Sequence, residues 1–331
     1  MNKIKSILLA TGIVIVLAIA FIGYYCNRGK AHDDSEAIEL NPNNAEAYFE
    51  RGLAYSKKGD HDRAISDYNE AIRLNPNDLE AHYNRGNAYR EKGNYDQAIS
   101  DFNEAIRLYP NFEEAYNNRG IAYGRKRDYD RAISDYDEVI RLNPNHAGAY
   151  YNRGNAHKGK GNYDQAISDY SEAIRLNPNY AEAYNNRGNA YDDKGEHDQA
   201  ISDYSETIRL NPNHAGAYYN RGIAYGRKRD YDRAMPDYDE AIRLNPNYAE
   251  AYNSRGNAYG FKRDYDRAML DFNEAIRLNP NYAEAYYGRG NTYYRKEDHD
   301  KAIADYESAL RIDPNYSDAR NALENIRGTK Q

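Results

Sequence analysis

No tryptophan occurs among the 331 residues, and cysteine occurs once, at Cys26. A single thiol excludes an intramolecular disulfide framework and any paired-cysteine zinc or redox motif. Phenylalanine is sparse too, with 6 residues against 37 tyrosines, so the aromatic positions fall to a ring that keeps a polar tip. Basic charge is in deficit: 45 Lys and Arg stand against 52 Asp and Glu, a formal net charge of −7. This balance argues against nucleic acid as a partner, since such readers need a net basic surface to displace counterions from phosphates. No HExxH, Walker loop, GxSxG elbow or CxxC is present. Asp and Glu recur too evenly for one pair to stand out as acid and base. No catalytic residue, metal site or cofactor is therefore expected.

Long apolar runs are also missing, with one exception, Ile7–Tyr25. As a helix rising ~1.5 Å per residue it would span ~28 Å, close to the ~30 Å hydrocarbon core of a bilayer. Lys3 and Lys5 precede it, and Arg28 and Lys30 follow it, ahead of acidic Asp33, Asp34 and Glu36. Residues 1–30 read as a transmembrane anchor with the start inside and the remainder on the non-cytoplasmic side. The alternative is a signal segment cleaved after Ala18-Ile19-Ala20, giving a secreted or periplasmic protein. Cys26 follows a bulky Tyr25, which does not suit lipid attachment, and reads as a juxtamembrane cysteine without a role.

Ten prolines are present, and nine lie 34 residues apart, from Pro42 to Pro314. A fixed period of that length marks a stacked repeat array rather than globular domains on linkers. The organisation is a linker and partial repeat over 31–44, eight 34-residue repeats over 45–316, and a capping helix with tail over 317–331. Each repeat reads as two helices. In the first, helix A covers about Glu46–Lys58 and helix B about His61–Leu74, the latter with His61, Ala64, Ile65, Tyr68, Ala71 and Ile72 on one stripe. Asp60, Asn94, Asp128, Asn162, Asp230, Asp264 and Asp298 stand where helix B needs an N-cap. Gly59, Gly93, Gly161 and Gly195 end helix A, but Arg127, Arg229, Arg263 and Glu297 replace them elsewhere, so those turns should be strained or differently shaped. Gly52 and its equivalents are expected to face Ala64 and its equivalents where the helices approach. Pro236 lies inside a helix B and predicts a kink. His61, His82, His146, His157, His197, His214 and His299 read as packing variants.

With large aromatic, Gly, aromatic, Ala, aromatic, Ala and Pro at these spacings, the unit resembles the tetratricopeptide repeat over about Ser35–Arg327. The resemblance implies an all-α fold: a right-handed α-solenoid of stacked helix-turn-helix repeats, here preceded by one hydrophobic N-terminal helix. The array departs from the family at Arg51, Arg85, Arg119, Arg153, Arg187, Arg221, Arg255 and Arg289, where Leu is usual. Each repeat also holds an Asp in helix B, from Asp67 to Asp305, and the two rows suggest an Arg–carboxylate brace across each hairpin. A ligand-binding arginine row is the alternative.

The resemblance also implies a protein or peptide ligand held on a concave wall of A helices. Candidate contacts on that wall are Asn84, Asn118, Asn152, Asn186 and Asn220, each 34 residues from the next. Beside them lie Tyr83, Tyr151 and Tyr219 and, one turn on, Asn87, Asn155 and Asn189. An Asn side chain can pair with both groups of a peptide backbone, so a row of them could hold an extended chain without reading its sequence. This is similar to the asparagine ladder of protein O-GlcNAc transferases and importin-like solenoids; a polar face kept for solubility is the other reading. The positions of a two-carboxylate clamp hold Tyr, Asn, Glu or Gly, which disfavours that mode. Basic tips at Arg125-Lys126-Arg127 and Arg227-Lys228-Arg229 read as solvated, the alternative being an acidic partner or a membrane surface. The expected function is a membrane-tethered interaction scaffold with an assembly role. The alternatives are a helical-repeat RNA binder and an accessory module of a separate enzyme.

Overall fold

The computed structural model describes residues 36–329. The apolar run Ile7–Tyr25, Cys26 and His32 lie outside them. Among the described residues no helix is long and apolar enough to cross a membrane.

The described chain is all-helical. Eight A–B pairs follow in order: α1 (Ala45–Lys57) and α2 (His61–Leu74), α3 (Leu79–Glu91) and α4 (Tyr95–Leu108), α5 (Glu113–Arg125) and α6 (Tyr129–Leu142), α7 (Ala147–Gly159) and α8 (Tyr163–Leu176). Then come α9 (Ala181–Asp193) and α10 (His197–Leu210), α11 (Ala215–Arg227) and α12 (Tyr231–Leu244), α13 (Ala249–Phe261) and α14 (Tyr265–Leu278), α15 (Ala283–Arg295) and α16 (His299–Ile312). The cap is α17 (Ser317–Thr329). The chain divides into two compact units at Lys160 and Gly161, the first holding α1–α7 and the second α8–α17. Within each unit an A helix packs on its own B helix, B packs on the next A, and successive A helices touch side by side.

Local chemistry explains the boundaries. At the end of α1, Gly59 takes φ +77°, its N–H bonds the Ser56 carbonyl, and the Asp60 N–H bonds that of Tyr55. This is the Schellman arrangement, which needs a left-handed residue. Arg127, Arg229, Arg263 and Glu297 adopt the same turn at φ 59–64°, so the anticipated strain is present. Asp60, Asp128, Asp230, Asp264 and Asp298 each accept a hydrogen bond as N-cap of the following helix, whereas Asn94 and Asn162 hold the position without one. In Asn-Pro-Asn turns the first Asn accepts from the N–H of the second, as Asn143 does from Asn145. Pro236 does not end α12, which keeps the 14-residue length of the other B helices.

The core is a column of alanines and rings. Ala64, Tyr68 and Ala71 of α2 are fully buried, and the same stripe recurs in later B helices. One expectation needs correcting. The helix A glycines first meet an aromatic ring, not Ala64 and its equivalents: a Cβ on Gly52 would lie 2.7 Å from Cε1 of Tyr68, and one on Gly222 2.7 Å from that of Tyr238. The ring lies across the A helix, and only glycine leaves room for it. Two of the histidines also do more than pack. His146 and His214 cap α7 and α11, Nδ1 accepting from Ala149 at 2.9 Å and Ala217 at 3.0 Å.

The arginine row is a brace. In unit one Arg51 pairs with Asp67, Arg85 with Asp101 and Arg119 with Asp135. In unit two Arg187 pairs with Asp203, Arg221 with Asp237, Arg255 with Asp271 and Arg289 with Asp305. All of these guanidinia except that of Arg85, which follows His82, also stand over the tyrosine one turn earlier, as Arg221 does over Tyr218 at 5.7 Å. Lysines stitch the loop edge: Lys92 to Asp62 and Lys126 to Asp96 in unit one, Lys194 to Asp164 and Lys296 to Asp266 in unit two. These pairs are exposed and screened by solvent, so they add little to stability.

Candidate functional site

The wall of A helices is built from the fifth, sixth and ninth positions of each repeat. In an α-helix these fall on one side, a turn apart. The eighth position holds the glycine under the ring, and the seventh holds the bracing arginine, so both are committed to packing.

In unit one the sixth-position row is Asn84, Asn118 and Asn152. Asn118 is the most connected. Its Nδ2 donates to Oδ1 of Asn87 at 2.9 Å and to the Tyr83 hydroxyl at 3.0 Å, while its Oδ1 accepts from Arg90 at 2.9 Å. Asn152 donates to Oδ1 of Asn117 at 3.3 Å. Asn84 turns back on its own helix and donates to the Glu80 carbonyl at 2.8 Å. Asn155 is half-buried and, with Asn152, Ile121, Gly124 and Arg125, lines a cleft of about 270 Å³. Tyr151 is half-buried.

In unit two Asn220 donates to Oδ1 of Asn189 at 3.1 Å, and that oxygen also accepts from the Tyr204 hydroxyl at 2.9 Å. Asn186 accepts from Asn185 at 3.3 Å. Much of the hydrogen-bonding capacity of these amides is spent on one another. The tyrosines are also engaged. Tyr83 lies 4.8 Å from the Phe112 ring, and Tyr219 lies 4.8 Å from that of Tyr248. Burial pushes the Tyr219 hydroxyl above its ordinary range, with Ser254 pulling the other way. Both rings fill space between repeats as well as lining the wall.

Sequence reasoning missed a cleft in unit two. About 410 Å³ lies open among α13, α15 and α17, lined by Asn257, Phe261, Tyr287, Gly288, Tyr294 and Arg295, among others. A second cleft of about 450 Å³ adjoins it, sharing Asn257 and Phe261 and adding Gly226 and Tyr231. The signal was present: Phe261 stands where the other repeats carry Lys57, Glu91, Arg125, Gly159, Asp193, Arg227 and Arg295. The sixth-position Asn also gives way to Ser254 and Gly288. Among the described residues no group of three or more His, Cys, Asp or Glu could hold a metal ion.

Helix hairpins repeated every 34 residues, with a glycine of helix A under a ring of helix B as at Gly52 and Gly222, define an α-helical repeat protein. Models of the tetratricopeptide repeat match residues 49–111 and 237–269, and another matches 113–146, 147–180, 181–214, 215–248 and 283–316. A model described as TPR repeat matches 35–59 and 263–297. The chain belongs to the tetratricopeptide repeat family, whose members are generally protein–protein interaction scaffolds rather than enzymes. No curated protein matches the sequence. Solved structures do. The C-terminal part of a TPR repeat-containing protein from Cytophaga hutchinsonii has a TM-score of 0.59 at 22% identity, over 73% of this chain and 99% of that one. A tetratricopeptide repeat protein from Parabacteroides merdae ATCC 43184 gives 0.58 at 23%, over 75% and 98%. The Cut9–Hcn1 hetero-tetramer of the APC/C gives 0.59 at 18%, over 88% of this chain and 58% of that one. At these identities the likeness is one of fold.

Proposed function

We propose that the chain is an interaction scaffold that holds an extended segment of a partner protein against its A helices. The carrying observation is the amide row. Asn84, Asn118 and Asn152 in unit one, and Asn186 and Asn220 in unit two, stand on successive A helices with Asn87, Asn155 and Asn189 beside them. Bonds within the row, such as Asn118 to Asn87 and Asn220 to Asn189, hold the amides in fixed orientations. Pre-organised amides lose little entropy when a peptide backbone arrives. Tyr83, Tyr151 and Tyr219 would add apolar contact. The apolar run Ile7–Tyr25 supports a membrane tether with the repeats on the non-cytoplasmic side, and such a scaffold would serve assembly in a cell envelope.

The test is affinity capture from native membranes with the intact protein and with a variant carrying Asn84, Asn118, Asn152, Asn186 and Asn220 all changed to Ala. Circular dichroism checks that the variant folds. Loss of specific partners supports the reading; unchanged capture refutes it. The mass of the mature protein distinguishes a retained anchor from cleavage after Ala20, and protease protection in intact cells reports the side of the membrane.

A further inference from the structure

The cleft among α13, α15 and α17 combines three features, and together they specify an occupant. The first is space. In α3, α5, α7, α9 and α11 the sixth position carries an asparagine; here it carries Ser254, Gly288 and Ala322, and the twelfth position of α13 is Gly260, as it is Gly124 in α5 and Gly226 in α11. Gly288 cannot acquire a side chain cheaply, because a Cβ there would lie 2.5 Å from the Phe272 ring. The opening of about 410 Å³ is therefore built in, and it falls within the range of pockets that hold ligands.

The second is exposed aromatic surface. Phe261 is 70% exposed and Tyr294 42% exposed, two of the five exposed large hydrophobics among the described residues. Phe261 is not loose: its ring stacks on Tyr231 at 5.0 Å with 9° between the planes. A rigid, exposed ring beside a cleft is the kind of group that becomes a binding hot spot.

The third is charge. Arg295 is exposed and has no ion-pair partner among the described residues. Its equivalent in α11, Arg227, is neutralised by Asp192. Arg295 is the one charged side chain lining the cleft. Beside it the Oδ1 of Asn291 accepts from the Tyr306 hydroxyl at 2.8 Å, which orients that amide.

We propose that this cleft is the anchor point of the scaffold: it takes one large apolar side chain, aromatic or leucine-like, from an extended partner segment, with an adjacent Asp or Glu held by Arg295. The proposal rests on the reading that the A-helix wall binds extended segments, and names the chemistry of the segment bound. The apolar side chain enters between Phe261, Tyr287 and Tyr294. The neighbouring carboxylate meets an unneutralised guanidinium at the rim, where a basic residue would be repelled.

The experiment is selection of a random dodecapeptide display library on the full chain and on three variants. These are Arg295→Glu, Phe261→Ser with Arg295→Glu, and the five-asparagine variant described above. Phe261 and Arg295 are both exposed, so the fold should hold, and circular dichroism checks it. The intact chain should enrich peptides with Phe, Tyr or Leu beside Asp or Glu. Arg295→Glu should move the charged preference to Lys or Arg, and the double variant should bind the original peptides about tenfold or more weakly, the scale of a hot-spot loss. Enrichment that lacks this pairing, or that the double variant leaves unchanged, overturns the anchor. If those peptides are instead lost on the five-asparagine variant, the wall reading survives without the anchor. No enrichment on the intact chain overturns both.

Discussion

The guanidinium of Arg221 lies flat against the carboxylate of Asp237, Nε donating to Oδ2 at 2.8 Å and Nη2 to Oδ1 at 2.7 Å. Its remaining nitrogen, Nη1, donates to the Ser205 hydroxyl of the preceding repeat at 3.0 Å. One side chain thus closes its own hairpin and ties that hairpin to its neighbour. The pattern recurs, with Arg85 reaching Asn69, Arg119 reaching Asn103 and Arg255 reaching Asp239.

Asp237 is buried, and burial pushes its carboxyl above the ordinary range against the pull of Arg221. Desolvation therefore weighs heavily on this pair. Arg221→Leu alone should destabilise by about 3–5 kcal/mol by stranding a buried charge. Arg221→Leu with Asp237→Leu should recover most of that loss. Urea denaturation of the single and double variants checks both values.

Helix α5 contains two glycines with opposite roles. A Cβ on Gly120 would meet Cε1 of Tyr136 at 2.8 Å, whereas one on Gly124 would meet nothing within 4 Å. Gly120→Ala should cost about 1–3 kcal/mol through overpacking. Gly124→Ala should stabilise by up to about 1 kcal/mol through helix propensity. Thermal denaturation followed by circular dichroism separates the two signs.

Arg127, Arg229, Arg263 and Glu297 occupy left-handed backbone at φ 60°, 59°, 63° and 64°. A side chain there costs on the order of 1–2 kcal/mol, partly offset by the extra freedom of glycine in the unfolded chain. Changing all four to Gly should raise the melting temperature. The reverse change, Gly93→Arg, should lower it.

His82 stands where the other repeats have Tyr. Its Nε2 is 3.1 Å from the Pro76 carbonyl and its Nδ1 3.5 Å from Oδ1 of Asp101. The Asp101 carboxylate, aided by Pro76 and opposed by burial and by Arg85, holds the imidazolium above its ordinary range. Because the folded-state pKa is the higher one, this stabilisation is complete below about pH 6.5 and is lost as pH rises through the raised value. Relative to His82→Tyr, the melting temperature of the natural chain should fall as pH rises from about 6.5 through the raised value. A constant difference across that range would contradict the assignment.

Much of the local structure was legible because it is written eight times. A 34-residue proline period, the apolar stripe of α2, and the Gly, Arg or Glu after each A helix are properties of short stretches whose backbone chemistry is independent of neighbours. The Arg–Asp braces were legible for a related reason, since Arg221 and Asp237 lie on two helices joined by one short turn. The row of asparagines was legible as a row, but not its satisfaction, because Asn220 bonds Asn189 across 31 residues and Asn118 bonds Tyr83 across 35.

Sequence alone specified what every repeat shares: two helices, their caps, the small residue at their crossing and the brace beside it. Helical periodicity and turn chemistry act within a hairpin, so the pattern carries them. Which ring lies over Gly222, where the third nitrogen of Arg221 goes and why a cleft opens beside Phe261 came only from the packed structure. The first depends on how α11 crosses α12 within one hairpin; the other two depend on the offset at which one hairpin stacks on the next, which is set by side-chain volumes on two repeats at once. Gly288 illustrates the difference: in sequence it is a lapse in the asparagine row, while in space it is where the Phe272 ring presses against α15 and the wall opens.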